Sequence, residues 1–228
     1  MTLMLLFLAM VLGLALLPQM WVRKVVAAHS VDRPDIPGTG GEFARHLLDG
    51  MQLGHVKVEE TSLGDHYDPD AKAVRLAPER FRGRSLAALV IAAHETGHAM
   101  QDATQYAPLQ ARTRLAKRAM WMEKVGAVVM LAAPIMMVLA RGPHILLIEF
   151  AAGAAILGMS LMLHAYTLPV EFDASFRRAL PLLKAGRYIP DRDLPAARRL
   201  LRAAAFTYVA AAGMSLLNVM RWLRVLRL

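Results

Sequence analysis

The stretch Ile91–Gln101, IAAHETGHAMQ, puts two histidines four residues apart, with a glutamate directly after the first. Upstream, RSLAALVIAAHE offers Ser85 as an N-cap. The only helix breaker before Pro108 is Gly97, so the spacing predicts a mostly buried helix carrying the motif. On a helix, His94 and His98 lie one turn apart on one face. Gly97 costs that helix about 1 kcal/mol relative to Ala. A glycine there suits the close approach of another backbone, such as a strand or a bound peptide.

Two imidazoles so placed can both reach one zinc at about 2.0–2.1 Å. Glu95 is rotated about 100° away from them, as the 3.6-residue period requires, so it cannot share their metal. It is placed instead to accept a proton from an activated water and pass it to a leaving amine. This is the residue pattern that metal-assisted amide hydrolysis needs. A plain helix with two packed or solvated histidines is the competing reading. A catalytic zinc takes a third protein ligand and keeps a fourth position open. The extended motif HExxHxxGxxH is absent, because Ala99, Met100, Gln101 and Asp102 follow His98. The third ligand must come from elsewhere. The polar cluster LPVEFDAS supplies Glu171 and Asp173, and His164 is a rival just before it. The competing explanation for two acids at a helix start is the positive end of the helix dipole.

The rest of the chain reads largely as membrane. It is 56% hydrophobic and only 20% charged, more apolar and less charged than a soluble domain. A bilayer takes about 20 apolar residues per helix, and four segments qualify: Leu3–Trp21, about Met120–Ala140, about Ile145–Tyr166, and a stretch ending at Met220. The first has no basic leader and no A-x-A cleavage site, so it is expected to be a retained span. ARGPH turns the second span tightly into the third. The net charge of +9 comes without a base-stacking aromatic cluster, so it fits basic loops at a membrane and no nucleic-acid partner. With no cysteine, disulfides and thiolate chemistry are excluded.

Two polar stretches, residues 22–119 and 167–202, emerge on the same face if there are four crossings. In the first, Thr39 and Glu42 form a capping-box pattern before a short helix that Gly50 stops. HVKVEET and KAVRLAP alternate in polarity around the turn-rich GDHYDPDA and predict a β-hairpin. In the second, a helix is expected to begin just after Pro169, to be interrupted by Pro181 and to stop at Gly186.

HETGHAMQDA together with LPVEFDAS resembles the YugP-type membrane zinc metallopeptidases, the neutral zinc metallopeptidase family. The likeness runs on through GDHYDP, RLAPERF, RSLAALVIAAHE, YAPLQAR and AAFTYVAAA, nearly the whole chain. A more distant likeness is to HtpX-type and CAAX prenyl endopeptidases. The resemblance implies a mainly α-helical membrane protein in which four transmembrane helices carry a minimal gluzincin core of α+β type. It implies one Zn2+ per chain held by His94, His98 and Glu171, with Glu95 as general base. HtpX-type chains have an Asp four residues after the ligating Glu. Ser175 stands there in this chain and the acid is at Asp173, which leaves the partner of a ligating histidine open. Expected at residue level are a first transmembrane helix at 1–22, the gluzincin core at 23–119, a transmembrane hairpin at 120–166, the glutamate helix and linker at 167–203, and a fourth span with a basic C-terminus at 204–228.

Helix geometry adds an argument for Glu171. In the first turn after Pro169 a carboxylate is anchored by free backbone N–H groups, and Asp173 lies about 200° round the helix. Other polar residues have competing explanations. His66 and Tyr67 could polarise a substrate carbonyl, although turn chemistry accounts for GDHYDPD equally well. Arg177 and Arg178 could steady an oxyanion, or simply anchor a span. Glu149, inside the third span, is assigned a packed or interfacial role, and the terminal RWLRVLRL a snorkelling helix end. The expected protein is a multi-pass zinc endopeptidase of the plasma (inner) membrane. Its partners are the lipid bilayer and polypeptide substrates, membrane or misfolded proteins among them. The alternative is a non-proteolytic membrane adaptor whose structural zinc is closed by a fourth ligand such as Asp173.

Flanking charge predicts the orientation. Arg23, Lys24, Arg112, Arg114, Lys117, Arg118, Arg177, Arg178, Arg198, Arg199 and Arg202 lie on the face carrying the motif, against Arg141, Arg221, Arg224 and Arg227 on the other. Basic residues favour the cytoplasm, so the motif should face inward and both termini outward. A reporter fused at Leu228 should be active only outside the cytoplasm; activity only inside would reverse the orientation.

Overall fold

The computed structural model describes residues 2–140 and 144–207. In chain order its elements are α1 (Thr2–Ala27), α2 (Gly40–Gly50), β1 (Lys57–Glu60), β2 (His66–Asp68), β3 (Ala73–Leu76), α3 (Pro78–Phe81), α4 (Leu86–Ala103), α5 (Ala107–Ala140) and α6 (His144–Phe172). A π-helical stretch, Asp173–Ala179, and α7 (Leu180–Ala185) continue α6 without a break, and residues 194–207 form α8. The described chain is mostly helical with one small three-stranded sheet.

Local chemistry sets the helix starts. Thr39 accepts from the Glu42 N–H at 3.2 Å while Glu42 accepts from the Thr39 N–H at 2.8 Å, the reciprocal capping box of α2. Ser85 accepts from the Ala88 N–H at 3.1 Å and starts α4. The motif helix ends at Ala103, short of Pro108. Gln105 takes a φ of 51°, and the Tyr106 N–H closes on the Gln101 carbonyl at 2.8 Å. A left-handed turn, rather than the proline, separates α4 from α5.

Every residue of α4 from Leu86 to Ala99 is buried, as expected for a helix apolar on all sides. On one side Ile91 and Ala92 pack with Leu48 of α2, Val56, and Val74 and Leu76 of β3. On the other, Leu86 and Val90 pack with Leu183 of α7 and Leu200 and Leu201 of α8. The motif is thus clamped between the sheet and the C-terminal helices.

The strands depart from the expected hairpin. β3 is central: β1 pairs with it in parallel, and β2 pairs with its other edge antiparallel. The turn-rich segment itself supplies β2, because the reversal is compressed into residues 68–72. There Asp68 accepts from the N–H groups of Asp70 (2.9 Å) and Ala71 (3.0 Å), and Lys72 takes a φ of 49°. KAVRLAP is therefore the buried middle strand and presents no free edge.

Nor does a helix begin after Pro169. The proline lies inside α6, so Glu171 is reached by a helix arriving from the third apolar segment, and Pro181 leaves the run into α7 unbroken. An interior proline costs about 3 kcal/mol. Complete burial of Val170, Ala174, Ala179 and Leu183 outweighs it. Among the described residues, one helix is long and apolar enough to cross a membrane, the continuous run Ala151–Ala185. The second apolar segment falls within α5, which packs along α6. The ARGPH turn and most of the fourth segment, with RWLRVLRL, lie outside the described residues.

The glycine of HETGH meets the close backbone approach anticipated for it. The neighbour is neither a strand nor a bound peptide but the chain's own π-helical stretch: a Cβ on Gly97 would lie 2.8 Å from the Ala174 carbonyl oxygen. Gly97→Ala gains about 1 kcal/mol of helix propensity but presses on backbone that cannot rotate away, at a cost of about 1–3 kcal/mol. Chemical denaturation should show net destabilisation for Gly97→Ala, and more for Gly97→Val.

Candidate metal centre

Close packing at Gly97 brings two distant segments together. Oε2 of Glu171 lies 3.1 Å from Nε2 of His94 and 3.3 Å from Nε2 of His98. Ligand atoms of the three residues all fall within 4.8 Å of one another, and all three side chains are buried. The imidazoles stand nearly perpendicular, at 79°.

The other ring nitrogens decide what these atoms offer. Nδ1 of His98 is 2.9 Å from Oε1 of Gln101, whose amide nitrogen donates to the Val170 carbonyl (2.8 Å) and to Oδ2 of Asp173 (2.9 Å). With the amide so oriented, Oε1 can only accept, so His98 Nδ1 carries the proton. Nδ1 of His94 is 3.0 Å from the Ser175 hydroxyl, which donates its one hydrogen to the Leu201 carbonyl at 3.2 Å. His94 Nδ1 is therefore also the donor. In these tautomers both rings turn their Nε2 lone pairs towards the Glu171 carboxylate.

This gives a test of fit for a cation. Two lone pairs and a carboxylate oxygen face one another with no proton among them. Glu171 Oε1 is also buried and accepts no hydrogen bond, and the Arg112 guanidinium lies 3.8 Å from it. Two neutral imidazoles and one carboxylate make a donor set that suits zinc.

Glu95 lines the cleft with His94, His98 and Glu171. Burial, opposed by His94 and reinforced by the Glu171 and Asp65 carboxylates, pushes its carboxyl up to about 8. His66 and Tyr67 of β2 line the same cleft. The His66 Nδ1–H is spent on the Gly64 carbonyl at 2.8 Å, and the Tyr67 hydroxyl on Asp102 at 2.6 Å. Burial and the Asp102 carboxylate raise the Tyr67 phenol well above its ordinary pKa.

Asp173 is turned away from the three ligand atoms. Its Oδ2 takes hydrogen bonds from Gln101 and, at 2.7 Å, from Nε of Arg178. Asp173 and Arg178 are five residues apart, the spacing that a π-helix stacks on one face. Arg178 also sits 5.5 Å from the Tyr106 ring centroid and does not line the cleft. His164 lies outside the cluster, and Glu149 is in the second turn of α6.

Sequence reading missed three participants. Gln101 is one; a polar residue three after His98, on the same buried face, was the available signal. Arg112 of α5 lies 3.8 Å from Glu171 Oε1 and had counted only as a flanking charge. The third is the pair Asp65–Arg80, which with the Ala77 N–H to Asp65 bond (2.8 Å) fastens the approach to β2 onto α3.

Three convergent acceptors on two helices, with the buried Glu95 carboxyl beside them, form a group that could hold a metal ion. The chain belongs to the neutral zinc metallopeptidase family: the model described as "Putative neutral zinc metallopeptidase" matches residues 3–227. A relative from Bacillus subtilis (strain 168), "Putative membrane protease YugP", is 34% identical over 218 residues, covering 94% of this chain and 92% of that protein. No solved structure matches.

The Gln101 network carries a prediction. Gln101→Leu frees the His98 ring and should weaken zinc binding by about 10–100-fold, while Glu171→Ala should lose tight zinc altogether and Asp173→Asn should keep it. Titration against a competing chelator measures all three; stoichiometric tight zinc in Glu171→Ala would show that another residue holds the ion.

Proposed function

We propose that this chain is an integral membrane endopeptidase that binds one zinc through His94, His98 and Glu171 and cleaves polypeptides at the membrane surface. The observation that carries this reading is the buried, acceptor-only arrangement of those residues with Glu95 beside it. Zinc bound there would acidify a water and polarise the scissile carbonyl. Glu95 takes the proton of the attacking water and delivers it to the leaving amine. Ser175 and Gln101 hold the ligand rings in the tautomers the ion needs.

The surroundings support a polypeptide substrate. β2 borders the cleft and is an edge strand, so an extended chain can add to it by backbone hydrogen bonds with little sequence preference. Val22 and Val26 of α1 and Leu200 and Ala204 of α8 also line the cleft. These apolar walls belong to segments assigned here as spans or their immediate flanks, which favours membrane proteins or misfolded chains at the bilayer. The reading includes four transmembrane helices, a multi-pass location in the plasma membrane and a cytoplasmic site, supported by the four apolar segments and the flanking-charge bias. The adaptor alternative needs a fourth protein ligand, and the residue that would supply it, Asp173, is committed to Gln101 and Arg178.

Glu95→Gln should keep zinc near one per chain and abolish cleavage of a denatured model protein, while His94→Ala and His98→Ala should lose both. Elemental analysis beside the cleavage assay decides it, and wild-type cleavage by Glu95→Gln would sink the assignment.

A further inference from the structure

Beyond the ligand cluster, the residues that line the cleft recur at helical spacing. On α1 they are Val22 and Val26; on α8 they are Leu200, Ala204 and Thr207. Intervals of three and four keep side chains on one face of a helix, so each helix turns a stripe towards the cleft. Arg23 and Lys24 beside Val22, and Arg199 and Arg202 beside Leu200, are exposed. The stripes themselves are apolar. Their one hydroxyl, on Thr207, donates its hydrogen to the Ala204 carbonyl at 2.6 Å. Trp21 meets Phe206 edge-on, with ring centroids 6.1 Å apart, which holds the two helices side by side next to the stripes.

Burial gives this surface depth. Leu200, and Ile91 of α4 in the same cleft, are buried, whereas Val22, Val26 and Ala204 are half-buried. The apolar lining therefore runs from the mouth of the cleft into the interior. At about 210 Å³ the cleft is larger than the roughly 150 Å³ cavity that holds a benzene ring. It has room for a large aliphatic or aromatic side chain. Ala204 contributes only a methyl group, and any longer side chain at that position would occupy the same space.

From this geometry we infer that the stripes of α1 and α8 form a substrate subsite that takes a large apolar side chain close to the bond that is cut, with Ala204 setting the size it admits. The inference rests on the zinc-peptidase reading and names the kind of residue at which that peptidase cuts. Successive residues are only about 3.8 Å apart, so a side chain seated in the cleft that carries His94, His98 and Glu95 belongs to a residue at or next to the scissile bond. An apolar side chain gains by leaving water there. A charged one would give up its hydration against a surface with no partner for it. Backbone pairing along β2 carries little sequence preference, so selection falls to this subsite.

The test uses the full chain in detergent with zinc. Cleavage sites in a denatured protein, mapped by mass spectrometry, locate the selected position. Peptides identical except for Leu, Phe, Ala, Asp or Lys at that position then give kcat/KM for wild type, Ala204→Leu and Val22→Ala. In wild type, Leu and Phe should exceed Ala by about 10–200-fold, the range that small differences of apolar size produce in a fitted pocket, and Asp and Lys should fall below Ala. Ala204→Leu should lower the Leu-to-Ala ratio by about tenfold or more, and Val22→Ala should raise the Phe-to-Leu ratio. Each ratio compares two substrates on one preparation, so partial misfolding does not alter it. If Ala204→Leu does not fold, the Phe-to-Leu ratio of Val22→Ala decides. A wild type with no preferred position, or with a preference for a charged residue, would overturn the inference. An unchanged Leu-to-Ala ratio in folded Ala204→Leu would overturn it too. A wild-type protein that neither binds zinc nor cleaves would instead defeat the peptidase reading itself.

Discussion

The approach of Gly97 to the Ala174 carbonyl is the contact on which the site depends. Any side chain at position 97 would put its Cβ 2.8 Å from that oxygen and push the two backbones apart. The glycine weakens its own helix by about 1 kcal/mol, and what it permits is contact between segments whose partners are 77 positions apart. Ligand atoms that must meet within a few ångströms cannot tolerate a displaced helix. The backbone packing therefore comes before the donor geometry in any causal ordering.

Around that contact the chain removes freedom from each polar group. Gln101 is buried and fully used: it accepts from His98 and donates to both Val170 and Asp173. One side chain thereby fixes a tautomer, ties α4 to the glutamate segment and draws Asp173 off the ligand cluster. Ser175 does the same for His94 and ties the π-helical stretch to α8. A half-satisfied buried network would cost more than an apolar core. Here the unmet demand is concentrated on Glu171 and the two Nε2 atoms, a group that could hold a cation.

The sheet holds the facing wall. β2 is short and would have little stability alone, but Tyr67 and Lys72 both bind Asp102 on α4, and Asp65 is fastened by Arg80 and the Ala77 N–H. Exposed ion pairs contribute little energy singly. Their use here is positional, since they set an edge strand beside the cleft instead of leaving a loop.

Much was readable from local pattern. Capping at Thr39 and Ser85, the burial of the HETGH helix, the pairing of His94 with His98 on one face and the need for a close neighbour at Gly97 all arise from short-range rules that act within one or two turns. Glu171 could be named as a candidate, and the structure brings it to the histidines, but the reason given for it did not hold: no helix starts at Pro169. Local rules treat an interior proline as a boundary, whereas burial of the flanking residues over several turns carries the helix through it. Strand order was hidden for a related reason. Alternation marks a strand but not its partner, so KAVRLAP could not be recognised as central. The role of Gln101 and the placement of Arg112 beside Glu171 belong to tertiary structure alone. Each depends on a side chain meeting atoms from a distant segment, and sequence spacing carries no distance between elements that pack only after the chain has folded.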